Sequence, residues 1–453
     1  MRAGTLPYSS LTIPHQLVAE RTGQRSAIAY LRALTLTVWF GSLVLSYWWR
    51  QDWNDLMQLV QAGVNLREYY FWGLIVALAG HLTLGLQKWV SAPFKVASTI
   101  PGAMLTGFCL LMLLLSPLSH VFQTSGYYAI GTWVVIVLCS LYWASDYQVV
   151  RQVLVFTGIT LFGWLLVLLL HHGMPQGLGQ NIGGINRNTT SMCGVAAMIC
   201  CSLSPRKSIR IGGFLAALFF ATLVTSRGSL VALCVFFAVY YMLHKGTFKA
   251  AGHALAAAAV LVSILLVSAF LQEVVVEGIL RTHDQARGIG SGFTGRMDQW
   301  KHGIEVFWEE PIIGRGFRSL RAAGVGGIHS GYIQIFVEAG LVGGLLIVAA
   351  VCAETFRRMR LAQRFRILSP AEAPGLDPVE TSHINAVACA TMCVTLMLWI
   401  YEPLYINLGS VISVVFFLMW MAPSYISAPA AAPPPRAMAG AVRGGRVPPA
   451  SNA

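Results

Sequence analysis

Apolar stretches of about 17 to 22 residues recur from one end of this chain to the other, each long enough to cross a hydrocarbon layer roughly 30 Å thick. No water is available there for backbone N–H and C=O groups, so a spanning segment must be a helix or part of a closed barrel. The stretches are continuous rather than alternating, which excludes the barrel. The expected fold class is therefore all-α, a polytopic integral membrane protein with about twelve transmembrane helices. Composition agrees: with 56% hydrophobic and only 11% charged residues among 453, the chain lacks the polar surface of a soluble protein.

Lys and Arg in the connectors set the orientation. They fill the N-terminal arm (Arg2, Arg21, Arg25), then every second connector (Lys88 and Lys95; Arg151; Arg206, Lys207 and Arg210; Lys245 and Lys249; the run from Arg357 to Arg366), and the C-terminal tail. The alternate connectors are short and nearly neutral, apart from one long loop at 273–331 in which seven acids balance seven bases. The expected layout is a cytoplasmic arm at 1–28, helices one to nine within 29–272, an extracytoplasmic loop at 273–331, helices ten to twelve within 332–422, and a disordered cytoplasmic tail at 423–453. Residues 1–26 lack the apolar core of a cleavable signal, so the first span is expected to be an uncleaved anchor. The net charge of +13 is accounted for by this topology and by contact with anionic membrane lipids, not by nucleic-acid binding. All nine cysteines fall inside predicted spans and read as small packing residues; the pairs Cys200/Cys201 and Cys389/Cys393 have no accompanying His or acid, so neither a disulfide nor a metal site is expected.

The side chains that carry chemistry gather on the extracytoplasmic side. Within the long loop, Met297, Trp300, Ile304, Phe307 and Trp308 repeat at helical spacing between Arg296, Asp298, Lys301 and Glu305, which predicts an amphipathic helix over Gly295–Trp308. It either rests in the lipid interface or roofs a cavity and aims Arg296 inward. A Pro- and Gly-bounded turn containing Arg315 follows, and then His329 opens the tenth span. Further along, Tyr332 is followed by Gln334 and Glu338, four apart and on one helical face. A histidine at a helix N-terminus feels the positive end of the dipole, which favours the neutral ring that a general base requires; the plainer reading is an interfacial His that caps the helix. Arg187 and Arg227 each sit in a short outer connector beside Gly, Ser or Asn. Either they snorkel to the interface, or their guanidinium forks capture phosphate oxygens.

The string Ser226-Arg227-Gly228, then Gly295-Arg296 with Trp300 four residues on, then Pro311-Ile312-Ile313-Gly314-Arg315-Gly316-Phe317, then His329, Gln334 and the run Glu338-Ala339-Gly340-Leu341-Val342-Gly343 resembles the O-antigen ligase and polymerase superfamily. Residue-level likeness covers about 225 to 345, with Arg187 a looser match. Ser330 stands where the family often has Asn, and Gly228-Ser229 where a bulky residue is common. The resemblance implies a GT-C-like architecture in the bacterial inner membrane, with one large periplasmic loop and a periplasmic active site. It further implies transfer of a glycan from an undecaprenyl-diphosphate-linked O-antigen donor to the lipid A-core oligosaccharide, completing lipopolysaccharide. On that reading Arg187, Arg227 and Arg296 hold the diphosphate and His329 takes the acceptor's proton, with Arg315, Tyr332, Gln334 and Glu338 in support. The implied transfer inverts the anomeric carbon and uses no metal or other cofactor, arginines standing where a cation would.

Within the superfamily the ligase is the preferred expectation, with the O-antigen polymerase as the alternative. A different class, a glycolipid transporter or flippase, would place charges at mid-membrane on broken helices. The sequence shows only His81 and Glu338 as deep ionisable candidates and no Gly- or Pro-broken pair of spans.

Overall fold

The structure, a computed structural model, describes residues 27–48, 67–82, 86–119, 121–144, 146–173, 187–224, 226–246, 296–321, 328–400, 402 and 410–428. The expected ninth span near 251–272, the arm before 27 and the tail after 428 lie outside the described residues.

Among the described residues the chain is helical, and the one β feature is an isolated bridge between Leu376 and Ser427. In chain order the helices are α1 (Ala27–Trp48), α2 (Arg67–Leu82), α3 (Leu86–Ala97), α4 (Ile100–Leu115, extended by a 3-10 turn to Leu118), α5 (Phe122–Trp143), α6 (Tyr147–His172), α7 (Arg187–Ser202), α8 (Lys207–Leu223), α9 (Arg227–Lys245), α10 (Arg296–Glu309), α11 (Gly331–Ile367), α12 (Pro378–Leu398) and α13 (Val411–Met421). Among the described residues six are long and apolar enough to cross a membrane: α4 with its extension, α5, α6, α9, α11 and α12; α13 is a shorter apolar helix.

Local chemistry sets the ends. Asp146 caps α6 by accepting from the Gln148 and Val149 amides, and Asp377 caps α12 by accepting from Glu380 N. Short α3 carries Pro93 inside it and has no counterpart among the expected spans.

α7, α12 and α13 form the centre, buried along nearly their whole length. Lipid supplies no hydrophobic drive between helices, so close packing must come from small residues. At Gly158 of α6 an added Cβ would lie 2.7 Å from Ala197 O, and at Gly213 of α8 it would lie 2.6 Å from Cys201 Cβ. The outer helices turn large apolar side chains outward, among them Leu114, Phe156, Leu170 and Leu215.

The longest helix, α11, is broken at Gly340, whose φ of 64° and ψ of −172° are not helical. The break strips the partners from Val337 O and Glu338 O on one side and from Leu341 N and Val342 N on the other. A turn at 311–316 replaces all four. Arg315 N donates to Val337 O at 3.0 Å and Gly316 N to Glu338 O at 2.8 Å, while Pro311 O and Ile312 O accept from Leu341 N at 2.8 Å and Val342 N at 3.3 Å. Irregular backbone at such depth is tolerated only where protein covers it. The fit demands glycine at both faces: a Cβ on Gly340 would lie 2.2 Å from Ile312 O, and one on Gly314, itself at φ 69°, 2.3 Å from Gly340 N. The turn, and not the helix sequence, supplies the hydrogen bonds missing at Gly340.

Deep ionisable groups also exceed His81 and Glu338. Arg151, Glu354, Arg358 and His383 are buried as well. α11 continues to Ile367, so the Arg-rich run expected in a connector is helical, and Glu354 lies between the nitrogens of Arg357 and Arg358, each at 2.6 Å. Residues 423–428, assigned to the tail in the sequence, dock instead. Arg358 donates to Pro423 O and Ala422 O, and Ala428 N to Gly375 O.

Candidate active site

The described side chains considered for chemistry come from the starts of α9, α10 and α11 and the turn before α11, at the end of the bundle opposite the basic connectors. α10 lays Trp300, Gly303, Val306 and Phe307 against Leu320, Ile328, Ile333 and Val337. Met297, Ile304 and Trp308 point outward. The helix therefore has two apolar faces: one roofs the mouth of α11, and the other is free to meet lipid.

Roofing fixes His329. Trp300 Nε1 donates to the His329 carbonyl at 3.2 Å, and the next residues are pinned to the end of α12, since Gly331 N and Tyr332 N both donate to Trp399 O. His329 does not cap α11. Ser330 does, accepting from Ile333 N at 3.4 Å, which gives a reason why Ser can stand where Asn is common: both are good N-caps.

The His329 ring is half-buried, and its Nδ1 is buried without a hydrogen bond from any described residue. Burial pushes its pKa below the ordinary histidine value, and the neighbouring Arg296 guanidinium lowers it further. Desolvation and an adjacent cation both favour the neutral ring.

Arg296, the first residue of α10, lies 3.7 Å from Glu402 Oε1. The same carboxylate oxygen accepts from Asn188 Nδ2 at 2.9 Å, so α10, the start of α7 and the residue-402 connector meet at one point. Arg187 precedes Asn188 as the first residue of α7; its side chain lies outside the described residues. Arg227 opens α9 and is half-buried. Ser229, one turn-step on, donates to Ser191 Oγ at 2.8 Å and accepts from Ser226 Oγ at 3.2 Å, tying the starts of α7 and α9 together. A bulky residue in place of Ser229 could not make that bridge.

The supporting residues divide. Arg315 pairs with Glu309 at 3.0 Å, and Tyr332 OH donates to Leu396 O at 2.9 Å. Both are engaged in structure. Gln334 Nε2 donates to Glu338 Oε1 at 2.8 Å, both buried on one face of α11. That pair sits just before the Gly340 break, beneath His329. Glu402, at the outer turn before the twelfth span, is the next candidate base after His329 on the sequence; nothing in its neighbours announces the contact with Asn188 and Arg296.

Residues 212–348 match the protein family described as O-Antigen ligase. The match supports the resemblance of this segment to the O-antigen ligase and polymerase superfamily. The matched segment runs from α8 to the middle of α11 and contains Arg227, Arg296, Arg315, His329, Gln334 and Glu338; Arg187 and Glu402 fall outside it. Among curated proteins none matches the chain. Members of this O-antigen ligase family are glycosyltransferase-like enzymes working on lipid-linked polysaccharides, and with its apolar helices the chain is an integral membrane protein.

Proposed function

We propose that this protein is an O-antigen ligase, transferring a glycan from undecaprenyl diphosphate to the lipid A-core oligosaccharide at the periplasmic face of the inner membrane. The observation that carries the reading is His329, a histidine disposed to be neutral whose buried ring nitrogen has no partner among the described residues, with Arg296 beside it.

The acceptor hydroxyl donates its hydrogen bond to a His329 ring nitrogen. Its oxygen attacks the anomeric carbon from the face opposite the diphosphate, the carbon–oxygen bond to the diphosphate breaks, and the proton passes to His329. Negative charge grows on the departing undecaprenyl diphosphate, where Arg296, Arg227 and Arg187 supply fixed positive charge. One displacement inverts the anomeric carbon. Guanidinium groups occupy the role that a divalent cation would otherwise fill, so the step is metal-independent. Glu402 is an unattractive base, because Asn188 and Arg296 already engage its carboxylate; it suits the positioning of Arg296.

Deleting the gene tests the reading and separates it from the polymerase. A ligase deletion leaves lipid-linked polymer and bare lipid A-core. Single repeat units capped on the core would instead identify a polymerase and overturn the ligase assignment.

A further inference from the structure

At the end of the bundle opposite His329 lies a cavity of about 190 Å³ whose lining includes Lys95, Thr99, Ser140, Glu354, Arg357 and Ser424. Arg358 forms part of its wall and is wholly committed to structure. Its Nε donates to Glu354, one terminal nitrogen to Asn385 Oδ1 and Pro423 O, and the other to Trp420 O and Ala422 O. These bonds account for all five of its N–H groups.

Arg357 differs. Its Nε and Nη2 meet Glu354, and Nη1 donates to Ser424 Oγ at 2.6 Å. Two of its five N–H groups therefore have no partner among the described residues. Lys95, in the last turn of α3, is exposed and forms no ion pair among the described residues. Glu354 is one negative charge against Arg357, Arg358 and Lys95, so the lining keeps a positive excess of two. Thr99 caps the start of α4, whose dipole adds to the positive field.

Beside this cationic cavity stands an apolar surface, with Val90 56%, Phe94 73% and Ile100 78% exposed on α3 and α4. We propose that the cavity binds the phosphate of an anionic membrane lipid, its acyl chains lying along Val90, Phe94 and Ile100. A phosphate diester supplies the acceptor oxygens that Arg357 and Lys95 lack, and the apolar flank selects a lipid over a soluble phosphate. The docked segment 422–424 forms one wall, so occupation should also hold the end of α13 in place.

The test uses the full chain, purified in an uncharged detergent and titrated with phosphatidylglycerol, phosphatidylcholine or inorganic phosphate, with bound lipid counted by native mass spectrometry and the unfolding midpoint recorded. Phosphatidylglycerol is expected to bind saturably and raise the midpoint, phosphatidylcholine to bind more weakly, and inorganic phosphate not to displace the lipid. Lys95→Glu, at an exposed position that should fold, is expected to weaken phosphatidylglycerol by about tenfold or more, the scale of a lost charge-assisted contact; Arg357→Gln should do the same. His329→Ala, at the other end, should bind the lipid as the wild type does. Unchanged phosphatidylglycerol binding in Lys95→Glu, or equal binding of the two lipids, would overturn the proposal. Inorganic phosphate that displaces the lipid and stabilises the protein equally well would make the occupant a soluble anion and overturn the lipid assignment.

Discussion

The indole of Trp300 holds the backbone carbonyl of His329 at 3.2 Å, so the roofing helix is joined to the mouth of α11. Arg296, four residues before Trp300 on the same helix, is thereby fixed relative to the histidine ring whose basicity it lowers. On the proposed reading, diphosphate grip and proton acceptance are coupled through a single helix.

Topology is the first expectation to check, since the alternating basic connectors predict that the His329 end lies outside. Gly290→Cys should react with an impermeant thiol reagent applied to intact spheroplasts, above the wild-type background, and Ser369→Cys should not. The opposite labelling would place the proposed site in the cytoplasm, where no flipped donor is available.

Arg227 opens α9 at the point where Ser229 ties it to α7. If its planar fork grips two diphosphate oxygens, Arg227→Lys keeps the charge and loses the geometry. Ligation by the purified variant should fall about tenfold or more, with membrane insertion and unfolding midpoint unchanged. Wild-type turnover would reduce Arg227 to a general positive charge.

Gly340 is where the helix breaks and the 311–316 turn enters. Gly340→Ala puts a methyl 2.2 Å from Ile312 O and forces an L-residue to φ 64°, which costs about 1–3 kcal/mol in backbone strain alone. The unfolding midpoint should drop clearly, and activity with it, because the turn anchors the connection between α10 and α11. Gly163→Ala, with nothing within 4 Å of the added carbon, is the control and should be neutral. An equally stable Gly340→Ala would mean that α11 can run through the break.

Much of this was legible in the chain and some was not, for physical reasons. Periodicity placed the amphipathic helix at Gly295–Trp308, and it runs Arg296–Glu309; the four-residue spacing of Gln334 and Glu338 proved to be a direct hydrogen bond. Both are local, fixed by 3.6 residues per turn. Gly340 escaped because glycine is common in membrane helices, and only the distant Pro311–Gly316 turn gives its φ a purpose. Glu354 escaped because the Arg run from Arg357 to Arg366 reads as a connector rather than as the partner of a buried acid. The contacts of Glu402 were not legible because Asn188 and Arg296 come to it from positions 214 and 106 residues away in sequence.

The sharpest expectation concerns pH. His329 must be neutral to accept the proton, and burial together with Arg296 holds its pKa below the ordinary value of about 6.5. Ligation should therefore persist into mildly acidic buffer and decline only as pH falls through that depressed pKa. His329→Ala should slow transfer by about 10² or more and remove the acid limb, while donor binding stays near normal. Arg296→Gln takes away one of the two causes of the depression, so in the residual activity the acid limb of kcat/KM should move to higher pH, toward the ordinary value. A merely structural Arg296 would lower the rate and leave the limb where it was. A limb that stays put in Arg296→Gln would break the electrostatic link between the arginine and the base, and a limb that survives in His329→Ala would mean the proton goes elsewhere.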